Sequence, residues 1–283
     1  MSSLPDSSRS SETDRLVSFI REHSRLTVLT GAGCSTDSGI PEYRDDNGNW
    51  KHRQPMQFAE FISDEGKRRK YWAQSLAGWH RISNAKPNAA HRAIAALERY
   101  GYVSCVITQN VDNLHKAAGS QNVIDLHGVL QRIRCLACNA QDSRHAYQCR
   151  LQDYNPDWNA SLTAIAPDGD AAISVDGMGS FDIPGCAHCG GIVKPDVVFF
   201  GESVPELRAR RARRFLQQSD ALLVVGSSLM VFSGYRFARI ASDAGKPITI
   251  VNRGATRADG LATHKLTANC AELLSQAVSR LAA

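Results

Sequence analysis

The stretch that decides the fold reads R-L-T-V-L-T-G-A-G-C-S-T and spans residues 25–36. Its first half is a short apolar and β-branched run, which predicts a buried strand, and its second half is a glycine-rich turn. Backbone N–H groups in such a turn can hold a pyrophosphate, because glycine lets the ligand approach the backbone closely. The pattern G-x-G-x-x-G is incomplete, since Thr36 stands at its last position. On its own, the turn is equally compatible with nucleotide binding and with a simple tight turn.

Three other segments also have the character of buried strands. They are short apolar runs bounded by Gly, Asp, Asn or Pro, at Val103–Thr108, Ala221–Val225 and Ile248–Val251. Helical patterns such as residues 90–99 lie between them. Strands that alternate with helices predict an α/β fold, a Rossmann-like parallel sheet with helices on both faces.

Small and polar residues follow these strands. In parallel α/β sheets such positions bind ligands, because the carboxyl ends of the strands meet at one edge. The residues concerned are Gln109, Asn110 and Asp112 after one strand, Gly226, Ser227 and Ser228 after another, and Asn252, Arg253 and Gly254 after a third. No convincing acidic residue closes a second strand about 20 residues after the glycine turn, which argues against a dehydrogenase.

Composition limits the function classes further. A chain of 283 residues is long enough for about two units, or for one α/β domain with an insertion. With 43% hydrophobic and 22% charged residues, the chain is of ordinary globular type. The net charge of +5 is too modest to indicate specific nucleic-acid binding. The arginine-rich run at 208–214 alternates with apolar residues, so we interpret it as the solvated face of a helix rather than a docking patch.

No apolar stretch approaches the ~18–20 residues needed to span a bilayer, so we expect no membrane association. Residues 1–14 are rich in serine and contain acidic residues, which fits neither a secretory signal nor a transit peptide. We expect these residues to form a disordered leader, with a helix capped by Asp14 after it, and we expect the protein to be cytoplasmic.

Four of the eight cysteines form two C-x-x-C pairs, Cys135 with Cys138 and Cys186 with Cys189. In a chain that is not secreted, this spacing predicts one tetrahedral Cys₄ site for a structural Zn²⁺ ion. His188 lies inside the second pair, and we interpret it as an exposed loop residue rather than a ligand. The cysteines without this spacing are expected to be small buried hydrophobes: Cys34, Cys105, Cys149 and Cys270.

Two stretches interrupt the alternation of strands and helices. Residues 43–86 contain three tryptophans and no clear strand, and they predict a helical module. Residues 132–192 contain the cysteine pairs and turn-forming runs at 166–170 and 176–179, and they predict a zinc-binding insertion. We expect these two modules to form a small domain. The large, Rossmann-like domain then comprises residues 15–42, 87–131 and 193–283.

The order of the motifs resembles that of the sirtuins over residues 17–281. The motifs are GAGCS at 31–35, GIPEYR at 39–44, TQNVD at 108–112, LHG at 126–128, the two cysteine pairs, KPDVVFFGE at 194–202 and VGSSL at 225–229. Other segments are similar to the class II subgroup, which includes the mitochondrial class II sirtuin of animals and its bacterial relatives. These are residues 194–202, SGYRF at 233–237, and the stretch from Asn155-Pro156 through 166–170.

This resemblance implies an NAD-dependent protein-lysine deacylase. In the family, an acylated lysine of a protein substrate enters a tunnel between the large and small domains. Nicotinamide leaves first, and a ribose hydroxyl and then water complete the transfer of the acyl group to ADP-ribose. The cofactors implied are NAD and one structural Zn²⁺ ion, and we expect a monomer.

Residue by residue, the resemblance implies the following roles. His127 matches the catalytic base, since a neutral imidazole with a pKa near 6.5 can relay a hydroxyl proton at neutral pH, and Asn110 matches the residue that positions the ribose and a water. Residues matched to NAD binding are Gly31, Ala32, Gly33, Ser35, Tyr43, Arg44, Gln109, Asn110, Asp112, Gly226, Ser227, Ser228, Asn252, Arg253, Gly254 and Cys270. Residues matched to the substrate backbone, through β-augmentation, are Val197, Val198, Phe199, Phe200 and Gly201.

Departures from the family pattern are few, and alternatives remain. Cys34 replaces a branched aliphatic residue, for which we favour a packing role over a redox role, and Tyr43 replaces the Phe of other subgroups. A mono-ADP-ribosyltransferase would carry the same motifs. A zinc-knuckle binding module with a vestigial nucleotide site is the alternative outside enzymes. Sirtuins that remove succinyl groups carry Tyr and Arg where Ser75 and Gly78 stand here, which predicts a preference for uncharged acyl groups.

Overall fold

A computed structural model of the chain describes residues 7–51, 55–158, 162–165, 171–173 and 181–282. The α-helices among these residues are α1 (Ser7–Glu22), α2 (Phe58–Ser63), α3 (Glu65–Asn84), α4 (Ala89–Arg99), α5 (Leu114–Ala117), α6 (Arg144–Tyr154), α7 (Glu206–Gln218), α8 (Phe232–Asp243) and α9 (Cys270–Leu281). The strands are β1 (Leu26–Thr30), β2 (Val103–Thr108), β3 (Val123–Asp125), β4 (Gly128–Cys135), β5 (Gln141–Ser143), β6 (Leu162–Ile165), β7 (Ala171–Ile173), β8 (Val193–Val197), β9 (Ala221–Val225), β10 (Ile248–Val251) and β11 (His264–Leu266). None of the helices described is long and apolar enough to cross a membrane.

The main sheet has the strand order β11-β10-β9-β1-β2-β3, and every pairing in it is parallel. The predicted strands β2, β9 and β10 begin and end at the predicted residues, and β1 begins one residue later than predicted. Strand β1 lies near the middle, where it pairs with β2 on one side and β9 on the other. The predicted α/β fold is confirmed.

Both faces of this sheet are covered by helices, which explains why β1 is buried along its whole length. Val28 packs in one cluster with Ile94 of α4 and Leu274 of α9. The next residue, Leu29, packs in a second cluster with Leu216 of α7. Because side chains alternate across a strand, consecutive apolar residues are buried on opposite faces.

Helix α1 begins at Ser7, so the predicted disordered leader is wrong over residues 7–14, and residues 1–6 lie outside the described residues. The physical reason is that α1 docks on α9. The Thr13 hydroxyl donates to Oε1 of Gln276 at 2.7 Å, and Leu16 and Ile20 are fully buried. Asp14 therefore lies within the helix instead of capping it.

Helix α7 carries the arginine-rich run. Arg210, Arg211, Arg213 and Arg214 are exposed, which confirms the solvated face, while Ala209, Ala212 and Leu216 are buried. Two details differ from the sequence interpretation. Leu207 is 83% exposed, because it lies on the side of the helix opposite Ala209, Ala212 and Leu216. Arg208 is half-buried, and its guanidinium donates to the carbonyl of Leu126.

A separate hydrophobic cluster joins helices α2, α3 and α6 to an antiparallel sheet of order β5-β4-β8. The helical character of residues 43–86 is confirmed by α2 and α3. Helix α6 was not predicted. It packs through Tyr147 and Leu151, and the Tyr147 ring lies 4.6 Å from the Trp72 ring of α3. The predicted turns at 166–170 and 176–179 lie outside the described residues.

The four paired cysteines converge beside this small sheet. All four Sγ atoms lie within 4.8 Å of one another, with 3.5 Å between Cys135 and Cys189 and 3.7 Å between Cys138 and Cys186. Sulfur ligands at 2.3 Å from a tetrahedral zinc lie about 3.8 Å apart, so the donor set fits one closed structural Zn²⁺ site. Backbone N–H groups of the turns also donate to the sulfur atoms of Cys135 and Cys186, which favours the thiolate form.

The remaining cysteine predictions are mostly confirmed. His188 is exposed and lies outside the cysteine cluster. Cys34, Cys105 and Cys270 are buried as predicted. The prediction for Cys149 is wrong, because this residue lies on the solvent-facing side of α6, away from the buried Tyr147 and Leu151.

We expect the purified protein to contain about one zinc per chain. Cys135→Ala should lose the metal and lower the free energy of unfolding by several kcal/mol, because a structural zinc contributes its binding energy to folding. Metal analysis and denaturant unfolding of the full chain measure both quantities.

The matched control is Cys149→Ala, which removes an exposed thiol from the same part of the fold. It should retain zinc and change stability by no more than about 0.5 kcal/mol. A folded, active protein without zinc would contradict the assignment of the cluster.

Candidate active site

A cavity of about 770 Å³ opens at the carboxyl ends of the parallel strands. The turns that follow β1, β2, β9 and β10, and the turn between β3 and β4, all contribute to its lining. Parallel pairing brings these strand ends to one edge of the sheet, so residues far apart in sequence become neighbours. The cavity therefore lies where the sequence predicts a ligand site.

The turns after β1 and β9 touch each other through glycines. The Gly33 N–H donates to the carbonyl of Gly226 at 2.9 Å. Gly226 has φ +59°, and a Cβ atom there would lie 2.3 Å from the backbone nitrogen of Cys34. A Cβ atom on Gly31 would lie 2.7 Å from Cβ of Ser227. Only glycine allows both the backbone conformation and this approach.

A polar network joins the β1 turn to the β2 turn. The Asn110 amide donates to the carbonyl of Gly31 at 3.0 Å and to Oγ of Ser35 at 2.9 Å. The Ser35 hydroxyl in turn donates to Oδ2 of Asp112 at 2.7 Å. Burial raises the pKa of Asp112, while the hydrogen bonds from the Leu114 N–H and from Ser35 oppose that rise. These contacts fix the side chains of three predicted site residues.

His127 follows β3 and is held at both ring nitrogens. Nδ1 lies 2.9 Å from the backbone carbonyl of Gln109, and Nε2 lies 2.7 Å from Oγ of Ser233. A carbonyl can only accept, so Nδ1 carries the proton in the neutral ring. Burial is the largest cause that lowers the pKa of His127 to about 4, and the charges of Arg208 and Arg236 act in the same direction. The imidazole is therefore neutral at pH 7, with the basic lone pair on Nε2.

Aromatic and cationic groups line the side of the cavity formed by residues 43–50. The Arg44 guanidinium lies 3.9 Å from the centre of the Trp50 ring and donates to the carbonyl of Gly48 at 2.7 Å. The Trp50 ring contacts Tyr43 and Phe200 edge-on, at centroid distances of 6.2 and 5.7 Å. This stacking holds Arg44 against the cavity wall.

The segment after β8 also lines the cavity, and its Phe200 contacts the Trp50 ring. The Val198 N–H donates to the carbonyl of His127 at 2.7 Å, and the Phe199 N–H donates to Oε2 of Glu202 at 2.9 Å. The buried ammonium of Lys194 lies 3.0 Å from the same carboxylate oxygen. Glu202 thereby ties the end of this segment to the strand that precedes it.

The structure brings the predicted site residues together. Every residue that the sequence assigns to catalysis, to NAD or to the substrate backbone lines this cavity. Cys34 lines it too, and burial raises the pKa of its thiol well above the ordinary value, which agrees with a packing role. Ser75 and Gly78 of α3 are not among the lining residues, whereas Tyr71, one turn before Ser75, is.

Sequence reasoning missed several lining residues, among them Trp50, Ser233 and Arg236. The signal for two of them was available, because Ser233 and Arg236 belong to the quoted SGYRF segment. No sequence pattern connected them to His127, since 106 residues separate Ser233 from it. Trp50 carried no signal beyond its membership of a tryptophan-containing module.

The Sir2 family model matches residues 31–233. A relative from Xanthomonas axonopodis pv. citri (strain 306), named NAD-dependent protein deacetylase, is 53% identical over 260 residues, which cover 92% of this chain and 89% of that protein. A relative of the same name from Bordetella bronchiseptica is 49% identical over 272 residues, covering 96% and 99%.

Solved structures agree with these matches. The structure described as "Sir2-p53 peptide-NAD+" has a TM-score of 0.78 and 28% identity, and covers 95% of this chain and 98% of that chain. The structure described as "Structural Basis for the Mechanism and Regulation of Sir2 Enzymes" has a TM-score of 0.75 and 31% identity, with coverage of 96% and 99%. The family match, the relatives and the shared fold lead to one conclusion: this chain belongs to the Sir2 family, the sirtuins.

Proposed function

We propose that this protein is an NAD-dependent protein deacetylase that removes acetyl groups from lysine side chains. The observation that carries the proposal is the single cavity in which His127, Asn110 and Asp112 meet the glycine turn of β1. The names of relatives at about half identity support the same activity. When bound, NAD supplies ADP-ribose as the acceptor of the acyl group and nicotinamide as the group released.

Several lining residues suit the binding of a dinucleotide. Gly31 and Gly226 line the cavity without side chains, so a ligand can approach their backbone closely, and Arg253 brings a positive charge for phosphate oxygens. We assign Asp112, Asn110 and Gln109 to the nicotinamide and ribose side. The phosphate and adenosine side is assigned to Ser227, Ser228, Asn252, Arg253, Gly254 and Cys270, and the part of the cavity near the glycine turn to Ala32, Gly33, Ser35, Tyr43 and Arg44.

His127 acts as the general base in this proposal. Its Nε2 atom accepts the proton of a hydroxyl, while the Gln109 carbonyl holds the Nδ1 proton and so fixes the tautomer. Burial keeps the ring neutral, which is the form that can accept a proton. Asn110, bonded to Gly31 and Ser35, orients the polar groups beside it.

The substrate is assigned to the segment Val197, Val198, Phe199, Phe200 and Gly201. We propose that an extended peptide pairs with this backbone and sends its acyl-lysine into the cavity. The solved Sir2 structure described with a p53 peptide supports a protein substrate. Rings of Tyr71 and Phe199, 5.2 Å apart, give that part of the lining an apolar character.

The subgroup, the domain boundaries, the oligomeric state and the location are proposed from the resemblance to the sirtuins. We propose class II membership, supported by the SGYRF and KPDVVFFGE segments. We propose two domains, with residues 15–42, 87–131 and 193–283 in the large one and 43–86 and 132–192 in the small one, which the separate cluster around α3 and β4 supports. We also propose a cytoplasmic monomer that binds neither nucleic acid nor membrane, in keeping with the modest net charge.

The direct test is incubation of the full chain with NAD and an acetyl-lysine peptide. Release of nicotinamide together with deacetylated peptide and O-acetyl-ADP-ribose is the expected result. Transfer of labelled ADP-ribose to protein without acetyl transfer would instead identify a mono-ADP-ribosyltransferase. Absence of NAD turnover would point to a binding module.

His127→Ala should lower the deacetylation rate by a factor on the order of 10²–10⁴, the usual contribution of a positioned acid–base group. NAD affinity should change much less, because most of the dinucleotide contacts are made by other turns. Steady-state kinetics and calorimetric NAD binding measure the two effects. The control is His80→Ala, at an exposed histidine of α3 outside the cavity, and a nearly active His127→Ala enzyme would refute the base assignment.

The acid side of the pH profile should also reflect the environment of His127. Because burial lowers its pKa to about 4, the neutral form is present above that pH and is lost as the pH falls through it. The value of kcat/KM reports the free enzyme, so we expect no loss of activity on lowering the pH from 8 to 6. A fall centred near pH 6.5 would mean that the base titrates as an exposed histidine does.

The acyl group is predicted to be uncharged. Where succinyl-removing sirtuins carry Tyr and Arg, this chain has Ser75 and Gly78, so an acidic acyl chain would lack its guanidinium partner. Burying an unpaired carboxylate is costly. Acetyl- or longer neutral acyl-lysine should be preferred over succinyl-lysine by at least about tenfold in kcat/KM, equivalent to roughly 1.4 kcal/mol.

One peptide carrying acetyl, long-chain acyl or succinyl groups in direct competition measures this preference. Equal or faster removal of succinyl would mean that another cation reaches the acyl chain. One buried cation beside Ser75 is Arg144, whose guanidinium donates to Oγ of Ser75 at 3.2 Å.

A further inference from the structure

Ser233, at the start of α8, contacts the imidazole of His127. Its Oγ lies 2.7 Å from Nε2, and both residues line the cavity. The segment that begins with this serine, SGYRF, has no other role in the proposed catalytic site. The contact is of interest because Nε2 is the atom at which His127 must accept a proton, so the inference rests on the proposed function.

The hydrogen bond that the other ring nitrogen, Nδ1, makes decides which group donates in this contact. Since Nδ1 donates to the Gln109 carbonyl, Nε2 of the neutral ring has a lone pair and no proton. The Ser233 hydroxyl must therefore donate to Nε2. Both ring nitrogens are engaged by the protein, so a hydroxyl arriving in the cavity meets Ser233 at the atom where it would otherwise meet the base.

The local backbone holds Ser233 in this position. The carbonyl of Ser233 accepts from Nε of Arg236 at 3.1 Å, and Phe237, one turn on, is buried against the sheet. A Cβ atom on Gly234 would lie 2.2 Å from Oε1 of Gln109, so α8 starts in close contact with the Gln109 side chain. The Ser233 hydroxyl is therefore placed by rigid elements.

We propose that Ser233 is a proton relay between a substrate hydroxyl in the cavity and His127. As the substrate O–H bond breaks, its electron pair stays on the substrate oxygen and its proton forms a new O–H bond at Ser233 Oγ. The proton already on Ser233 moves to Nε2 at the same time, so Ser233 ends neutral and the imidazole becomes imidazolium. A hydroxyl suits this role because it accepts one hydrogen bond while donating another.

The first test is spectroscopic and uses the cofactor-free full chain labelled with ¹⁵N-histidine. The His127 signals are assigned by their loss in His127→Ala. In Ser233→Ala the Nε2 signal should move by several ppm towards that of a free, unprotonated nitrogen, whereas Ser233→Thr should keep the signal near its original position. An unchanged Nε2 signal in Ser233→Ala would overturn the hydrogen bond on which the relay depends.

The second test separates two stages of the reaction with an acetyl peptide. The resemblance to the sirtuins implies that nicotinamide would be released before the hydroxyl proton is transferred, so exchange of labelled nicotinamide into NAD should change less than about twofold in Ser233→Ala. Formation of deacetylated peptide should fall by about tenfold or more, and Ser233→Thr should restore most of it. Ser242→Ala, on the same helix but outside the cavity, should match the unmodified enzyme.

A Ser233→Ala enzyme with equal or faster deacetylation would overturn the relay, because it would show that the serine only blocks the base. The double variant Ser233→Ala/His127→Ala should be no slower than His127→Ala alone, since a relay acts through His127. An additive loss would also overturn it. Full activity of His127→Ala would refute the proposed base instead, so the two failures are distinguishable.

Discussion

The contact between the turns after β1 and β9 is the constraint on which the site depends. These strands are neighbours in the sheet, and their turns approach until the Gly33 N–H bonds to the Gly226 carbonyl. A side chain on Gly226 would collide with the backbone of Cys34. Both turns line the cavity, and their glycines leave room for a ligand to approach the backbone closely.

The polar residues around this contact are held by one another rather than by solvent. Asn110 bonds to Gly31 and Ser35, and Ser35 bonds to Asp112, so the β2 turn is fixed to the β1 turn. Gln109 extends the network in two directions, through its carbonyl to His127 and through its amide to Ser227 at 2.7 Å. Because these bonds lie largely out of water, they fix orientation more strongly than exposed ones would.

The small unit, formed by α2, α3, α6 and the sheet β5-β4-β8, is stabilised differently from the parallel sheet. Its sheet is short and antiparallel, and its core depends on aromatic contacts around Trp72, Phe61 and Tyr71. The four cysteines beside that sheet supply a metal site instead of a larger hydrophobic core. The cavity is lined partly by this unit, through residues such as Tyr71 and Phe199, and partly by the turns of the parallel sheet.

The sequence by itself determined four strands of the main sheet, the four cysteines of the cluster and the polar residues at the strand ends that line the cavity. Strands such as β2, β9 and β10 are predicted to the residue because a strand covered on both faces is an uninterrupted apolar run. Cysteine pairs are equally local signals. Helix α6 and the docking of α1 carried weaker signals, since their burial depends on distant partners such as Trp72 and Gln276. Only the tertiary structure decided that Ser233 bonds to His127, because that contact joins residues with no local relation in the chain.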